Sequence, residues 1–401
     1  LDGLAKSSSD WVKRVSSPEQ ITQCANDAWK AANESPGNIA TLVVPADYAW
    51  SDIQSDLPKK VELNNRKSVD NKLIEAAYKL LLKPNSMLYL GGKFLDEECL
   101  KFAAQIATKT GCRLVTDTFV SRIRRGAGLP IVQQVPYFSE MAEDFLQGTE
   151  SIVFIGTKPP VSFFAYPDKK SFLSPDEAEL FELCSVEENG YEALALLSEL
   201  SGSPKIANEL IRPYIADVPT SGDLDVTTLG PLIADMMPEE SIVSDESATS
   251  SLIVTPHALQ AKPHDWLALT GGSIGQGLPL AIGASIAKPD RPVITLHGDG
   301  GAMYTVQALW TQARENLNIT NIIFSNRSYE ILKIELDRVQ AVETGERAAS
   351  MFSMDNPPID WVNLAESMGV QGYKPKTVKE FKDVFSKSVN ESGPSLIEIE
   401  I

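Results

Sequence analysis

The stretch Pro292-Val-Ile-Thr-Leu-His-Gly-Asp-Gly-Gly301 decides the fold, together with Asn321-Ile-Ile-Phe-Ser325 and Asn326, which stands 27 residues after Asp299. Residues 292–296 read as a buried strand, and Gly298, Gly300 and Gly301 make the turn that follows. Residues 302–315 place apolar side chains at 302, 303, 306, 309, 310 and 313, the spacing of an amphipathic helix. A second apolar strand then ends at Asn326. Strand, turn, helix and strand in this order make parallel neighbours in a doubly wound sheet. Ligands of such sheets sit outside the carboxyl ends of the strands, where Asp299 and Asn326 both fall. With neighbouring strands about 4.8 Å apart, the two side chains can grip one ion. A lone G-D-G is usually a turn and a lone Asn a strand-end residue, so the combination carries the argument.

Working outward, residues 225–401 read as one α/β domain, with further strands at 241–243 and 396–399. Residues 68–205 read as another, alternating helices (69–82, 95–110, 138–146) with strands (87–90, 113–115, 152–155). The expected fold class is therefore α/β, two successive doubly wound parallel-sheet domains plus the end of a third. That end is 1–50, with one helix at 18–34 and one strand at 39–44. Polar segments at 51–67 and 206–224 read as linkers. Gly91-Gly92 follows a strand but lacks the third glycine of a dinucleotide fingerprint, so a tight turn is the expectation and a nucleotide-binding oxidoreductase is disfavoured.

Composition narrows the function. The 401 residues are 43% hydrophobic and 22% charged, with a net charge of −18, which argues against a nucleic-acid partner. No run approaches the roughly 20 apolar residues of a membrane helix, so no membrane partner is expected. Cys24, Cys99, Cys112 and Cys184 lack metal-site spacing and read as buried free thiols of a cytoplasmic protein.

At the sheet edge, glycine-lined backbone and a helix amino end suit a diphosphate. A diphosphate beside a carboxylate requires a cation, and Mg²⁺ takes one or two carboxylates with other oxygens. Two more stretches point the same way. Thr270-Gly-Gly-Ser-Ile-Gly-Gln-Gly-Leu-Pro279 is a glycine-rich loop entering an apolar helix, by itself a common packing device. Asp245-Glu-Ser-Ala-Thr249 follows a strand and reads equally well as a helix cap cluster.

With these three stretches the chain resembles the thiamine-diphosphate-dependent enzymes, and over its length the acetolactate synthase large subunits. The resemblance implies Mg²⁺ ligation by Asp299, Asn326 and the Ser328 carbonyl. It also implies a cofactor site formed by Thr249, Gly272, Ser273, Ile274, Gly298, Asp299, Gly300, Gly301, Asn326, Ser328 and Tyr329. Gly272 and Ile274 take the catalytic roles: Ile274 props the cofactor in a bent shape, and the Gly272 carbonyl accepts from its 4′-amino group. Holding that group beside the proton it removes is preorganisation. Where the family has Tyr-Gly, this chain has Tyr329-Glu330.

The implied activity is decarboxylation and carboligation of 2-oxo acids through a thiazolium ylide, as a transferase or lyase in a homodimer or tetramer. The alternative is a benzoylformate-decarboxylase-like enzyme, which Asn326-Arg-Ser-Tyr-Glu-Ile-Leu332 and Pro357-Pro-Ile-Asp-Trp361 resemble. Against it, Ala165 stands where that enzyme's relay histidine is expected, and His297 reads as a core residue. A third reading is a non-catalytic relative. The segment at 155–160, Ile-Gly-Thr-Lys-Pro-Pro, lacks the carboxylate pair of the flavin-binding members, so FAD is not expected. Residues 1–50 match only the tail of a pyrimidine-binding domain. The activating glutamate would then have to come from elsewhere, and this chain alone is expected to be inactive.

Overall fold

Apolar runs buried on both faces build the centres of two mainly parallel sheets, as expected where helices cover each side. The computed structural model describes residues 2–53, 61–214, 218–339 and 345–401. Residues 54–60 and 215–217 of the two expected linkers lie outside the described residues. The first sheet-forming strands are β1 (Trp11–Arg14), β2 (Ala40–Val43), β3 (Ser86–Leu90), β4 (Arg113–Thr116), β5 (Ile123–Arg125), β6 (Gln133–Gln134), β7 (Ser151–Ile155) and β8 (Glu179–Cys184). The remainder are β9 (Ile242–Glu246), β10 (His264–Ala268), β11 (Val293–Gly298), β12 (Ile319–Ser325), β13 (Gln371–Tyr373) and β14 (Ser395–Glu400).

β1 and β2 pair in parallel around the helix Ile21–Asn33. The single strand expected in residues 1–50 therefore has a partner, and a helix at Asp2–Ser8 precedes both. The sequence Trp-Val-Lys-Arg gave no apolar run by which β1 could be found.

The middle sheet runs β6-β4-β3-β7-β8, all parallel. Its helix Glu97–Thr110 is capped by Asp96, whose carboxylate accepts from the Cys99 N–H at 2.8 Å, and ends at Gly111 in the left-handed region. Gly91-Gly92 is a tight turn, as expected, with the Gly91 N–H donating to the Ile155 carbonyl.

The last sheet runs β13-β14-β12-β11-β9-β10-β5. Every residue of β12 is buried, as are the first five of β11. All neighbours are parallel except β5, which joins the edge antiparallel to β10. Residues 123–125 thus leave the middle segment of the chain and complete the other sheet. β10 lies on one side of β9 and β11 on the other, so the chain reverses its winding direction between β9 and β11. Such a switch point opens a crevice at the carboxyl ends of those strands, the standard ligand position in open α/β sheets. Among the described residues, no helix is long and apolar enough to cross a membrane.

Candidate active site at the switch point

β11 and β12 are aligned with Gly298 opposite Phe324, so Asp299 and Ser325 leave the sheet at one level and Asn326 follows. Asp299 is only 3% exposed. Its Oδ1 accepts from the Gly300 N–H at 2.8 Å and its Oδ2 from the Arg327 N–H at 2.7 Å. Burial pushes its carboxyl above the usual range, and these two N–H groups offset only part of that. Asn326 Oδ1 accepts from the Ser328 N–H at 3.0 Å. Arg327, between them, has a positive φ of 52°, which turns the chain back across the strand ends. Among the described residues, the Ser328 carbonyl accepts no backbone N–H.

A buried carboxylate without a cationic partner among the described residues, an amide oxygen and an open carbonyl at adjacent strand ends form an all-oxygen donor set. Mg²⁺ demands such a set and the negative charge this one carries. The residues therefore fit the ion.

The predicted continuous helix at 302–315 is two. A single turn spans Asp299–Ala302, and a second helix starts only at Ala308. Between them, the Thr305 hydroxyl donates to the Gly275 carbonyl at 2.6 Å. The break lets residues 303–307 lie across the glycine-rich loop.

Two of the glycines also have a structural reason that the sequence did not reveal. A Cβ on Gly300 would lie 2.7 Å from the Tyr329 ring, and one on Gly301 would lie 2.9 Å from Glu246 Oε1. Space expected for a ligand is, at these two positions, filled by the protein itself.

Glu246, the last residue of β9, was not singled out from the sequence. Its Oε1 accepts from the Gly275 N–H at 2.5 Å and its Oε2 from the Gly277 N–H at 2.7 Å. The His297 Nε2 lies 3.2 Å from Oε2, with both side chains buried. Burial alone would raise the Glu246 carboxyl, but His297 and the two N–H groups outweigh it and hold it below the usual range. The carboxylate thus pins loop 270–277 against the turn at 298–301. A signal was present: an acidic residue at a strand end, in a chain with two glycine-rich loops to bind.

In the pinned loop, Gly272 has a positive φ of 63° with open space where a Cβ would stand, and Ile274 is 51% exposed. The Gly272 carbonyl accepts from the Ile274 N–H at 2.9 Å, and Ser273 is exposed beside it. Thr249 lies in the short turn Ala248–Ser250 after β9, and the preceding Ser247 carbonyl stands 3.8 Å from the Cβ position of Gly298. The structure therefore gathers the loops after β9, β10, β11 and β12 at one crevice. His297, fully buried, is the core residue expected.

Tyr329 leads into the helix Glu330–Arg338. The Tyr137 hydroxyl donates to Glu335 Oε1 at 3.2 Å, and the Tyr166 hydroxyl donates to the same carboxylate. Arg338 pairs with Glu140 at 2.7 and 2.9 Å. Beside these contacts stand Phe119, Tyr137 and Phe163, with ring centroids 5.3–6.0 Å apart.

A sequence model of the thiamine pyrophosphate enzyme C-terminal TPP-binding domain matches residues 248–399. All of the chain aligns with 76% of a Mycobacterium tuberculosis protein named "Putative acetolactate synthase large subunit IlvX", at 38% identity over 408 residues. Benzoylformate decarboxylase of Pseudomonas aeruginosa is 26% identical over 205 residues, covering 51% of this chain and 38% of that enzyme. A solved thiamine-diphosphate-dependent 4-hydroxybenzoylformate decarboxylase from Rhodococcus jostii superposes with a TM-score of 0.81 at 23% identity, over 100% of this chain and 77% of its own. Alignment along the whole chain with the first of these, and the donor set at the switch point, lead to one conclusion: the chain belongs to the thiamine-diphosphate-dependent enzymes and is like the acetolactate synthase large subunits.

Proposed function

We propose that the crevice binds thiamine diphosphate through Mg²⁺, and that the enzyme decarboxylates and ligates 2-oxo acids in the manner of acetolactate synthase. The observation that carries this reading is Asp299: a buried carboxylate without a cationic partner among the described residues, near Asn326 at a switch point. Asp299, Asn326 and the Ser328 carbonyl hold the ion. Thr249, Ser273, Gly298, Gly300, Gly301 and Tyr329 shape the surrounding wall. The exposed Ile274 supports the bend of the cofactor, and the Gly272 carbonyl, at the loop's apex, accepts from its amino group. Glu246 keeps that apex fixed relative to the metal ligands. When bound, the cofactor supplies a carbon nucleophile and an electron sink for the 2-oxo acid. The pyrimidine half is assigned to a pyrimidine-binding domain, in a homodimer or tetramer. Four buried free cysteines suit a reducing cytoplasm.

We further infer a flavin-free enzyme. Pro159 and Pro160 follow the strand where flavin-binding members carry a carboxylate pair, and a Cβ at Gly92 would stand 3.0 Å from the Gly156 carbonyl, so the middle sheet's own loops meet at that point. Flavin absorbance in the purified protein would refute this.

A second reading, an aromatic 2-oxo acid substrate, draws support from the ring cluster of Phe119, Tyr137 and Phe163 beside the helix Glu330–Arg338. Product analysis of the full-length protein with Mg²⁺ and thiamine diphosphate separates the readings. Acetolactate from pyruvate supports the first, and benzaldehyde from benzoylformate the second. Carbon dioxide from neither substrate, with the cofactor bound, would end both.

A further inference from the structure

Arg125 is the last residue of β5 and is 4% exposed. Its guanidinium stacks on the Trp266 ring, 3.6 Å from the centroid. Its Nε approaches His264 Nε2 at 3.4 Å, and the other ring nitrogen, Nδ1, lies 2.7 Å from the Lys262 carbonyl. Those contacts account for one face and one N–H. Both Nη groups are buried and, among the described residues, have no hydrogen-bond partner. Arg125 lines a small recess of about 10 Å³ whose wall also includes Ile123, Arg124, Gly126, Gln134 and Arg212.

The recess is cationic on two sides. Burial, with a smaller contribution from Arg212, lowers the Arg125 guanidinium to about 9, while Asp245 works the other way without forming an ion pair with it among the described residues. A guanidinium keeps its charge in proteins, so Arg125 is a buried cation. Burial also lowers Arg212. The remaining arginine, Arg124, directs its charge elsewhere, toward Glu240 and Glu97.

A buried guanidinium with free donors costs several kcal/mol unless an opposite charge meets it. A cation–π contact recovers only part of that, about 2 kcal/mol when desolvated. Water would satisfy the donors but not the charge. The volume suits a single particle near the size of water and excludes phosphate esters and nucleotides.

We propose that this recess under β5 is a binding site for a halide-sized monovalent anion, held by the Nη groups of Arg125 with Arg212 as the second cationic wall. The site is distinct from the switch-point crevice. Its occupant neutralises the charge at the strand that the middle segment lends to the last sheet, so it fastens the two α/β units together.

The test is thermal unfolding of the full chain, without cofactor or metal, in sodium bromide against sodium gluconate at fixed ionic strength. Crystals grown in bromide are examined for anomalous scattering in parallel. The midpoint is expected to rise with bromide and saturate, as for a ligand that binds only the folded state. Arg125→Met and Arg212→Met should each weaken the apparent bromide affinity about tenfold or more, the loss expected for a charge-assisted hydrogen bond. An anomalous peak should stand in the recess. Equal midpoints in the two salts would overturn the proposal, even with a peak, which would then be binding at crystal concentration only. A bromide effect undiminished in Arg212→Met, or an empty recess, would overturn it as well. If Arg125→Met does not fold, Arg212→Met and the wild-type crystal decide.

Discussion

Asp299 is the residue on which the proposed site depends, and its burial makes the prediction sharp. Without a cation, its negative charge is set against desolvation, which the N–H groups of Arg327, Gly300 and Asp299 and the Ser325 hydroxyl offset only in part. Asp299→Ala should therefore abolish the rise in thermal stability that Mg²⁺ and thiamine diphosphate confer, about 2.7 kcal/mol at a hundredfold excess over Kd. Asn326→Ala, which removes a neutral oxygen from the proposed donor set, should reduce that rise without eliminating it. Glu246 belongs at this scale too. Glu246→Gln sets an amide N–H against one of the two loop N–H groups and should cost about 2 kcal/mol by denaturant unfolding. Because the Glu246 carboxyl is held below its ordinary range, its contribution is present above the unfolded value of 4.5 and is lost as pH falls through the lower folded value. A Glu246→Gln protein as stable as wild type at pH 7 would contradict the pinning role. The strand-end positions of Asp299 and Asn326 were legible in the sequence because their spacing matches two parallel strands. Glu246 was not, because its role depends on a loop from β10 folding back across β9, and that is tertiary information.

Among the elements, strands such as β7 and β12 were legible, since burial on both faces leaves an apolar run in each, residues 152–155 in one and 322–324 in the other. β5 was not, because Ile-Arg-Arg is polar and, among the described residues, pairs only with a strand about 140 residues away in the chain. The helix expected at 302–315 failed differently: its apolar period continues through 303–307, but Thr305 donates to the Gly275 carbonyl and the chain takes turns there. The helix Glu330–Arg338 is tied to the middle segment by Arg338 and Glu140. The guanidinium beside Glu140 holds that carboxyl down to about 2. Its stabilisation is thus complete above the unfolded value of 4.5, declines below it, and is gone below about 2. Glu140 is half exposed, so the pair is worth under about 1 kcal/mol. Glu140→Gln should flatten the stability profile between pH 4.5 and 2 while leaving cofactor affinity intact, and an unchanged profile would show that the pair carries no stability. In the same segment, Asp96→Ala removes the cap of the helix Glu97–Thr110 and should cost about 1 kcal/mol by the same measurement.

In the whole molecule, two doubly wound sheets are joined by a strand that one segment contributes to the other. The overall order of helices and strands was legible from alternation, whereas the exchange of β5 was not, because no local pattern reports which sheet a short edge strand will join. Ion pairs concentrate at that junction: Asp265, buried, meets Arg122 at 2.8 Å and Arg291 at 2.7 Å. Asp265→Ala should destabilise the fold by roughly 2–4 kcal/mol, less than a fully buried pair would give because Arg122 is exposed. A loss below about 0.5 kcal/mol, within the range of ordinary surface changes, would show the junction to be held by packing alone. The central claim remains the ion at the switch point, and it is tested most directly by calorimetric titration of thiamine diphosphate into the full-length protein, with Mg²⁺ and with chelator, for wild type and Asp299→Ala. The account predicts binding by wild type only when Mg²⁺ is present and none by the variant in either condition. Equal affinity of the two proteins, or binding indifferent to Mg²⁺, would contradict it.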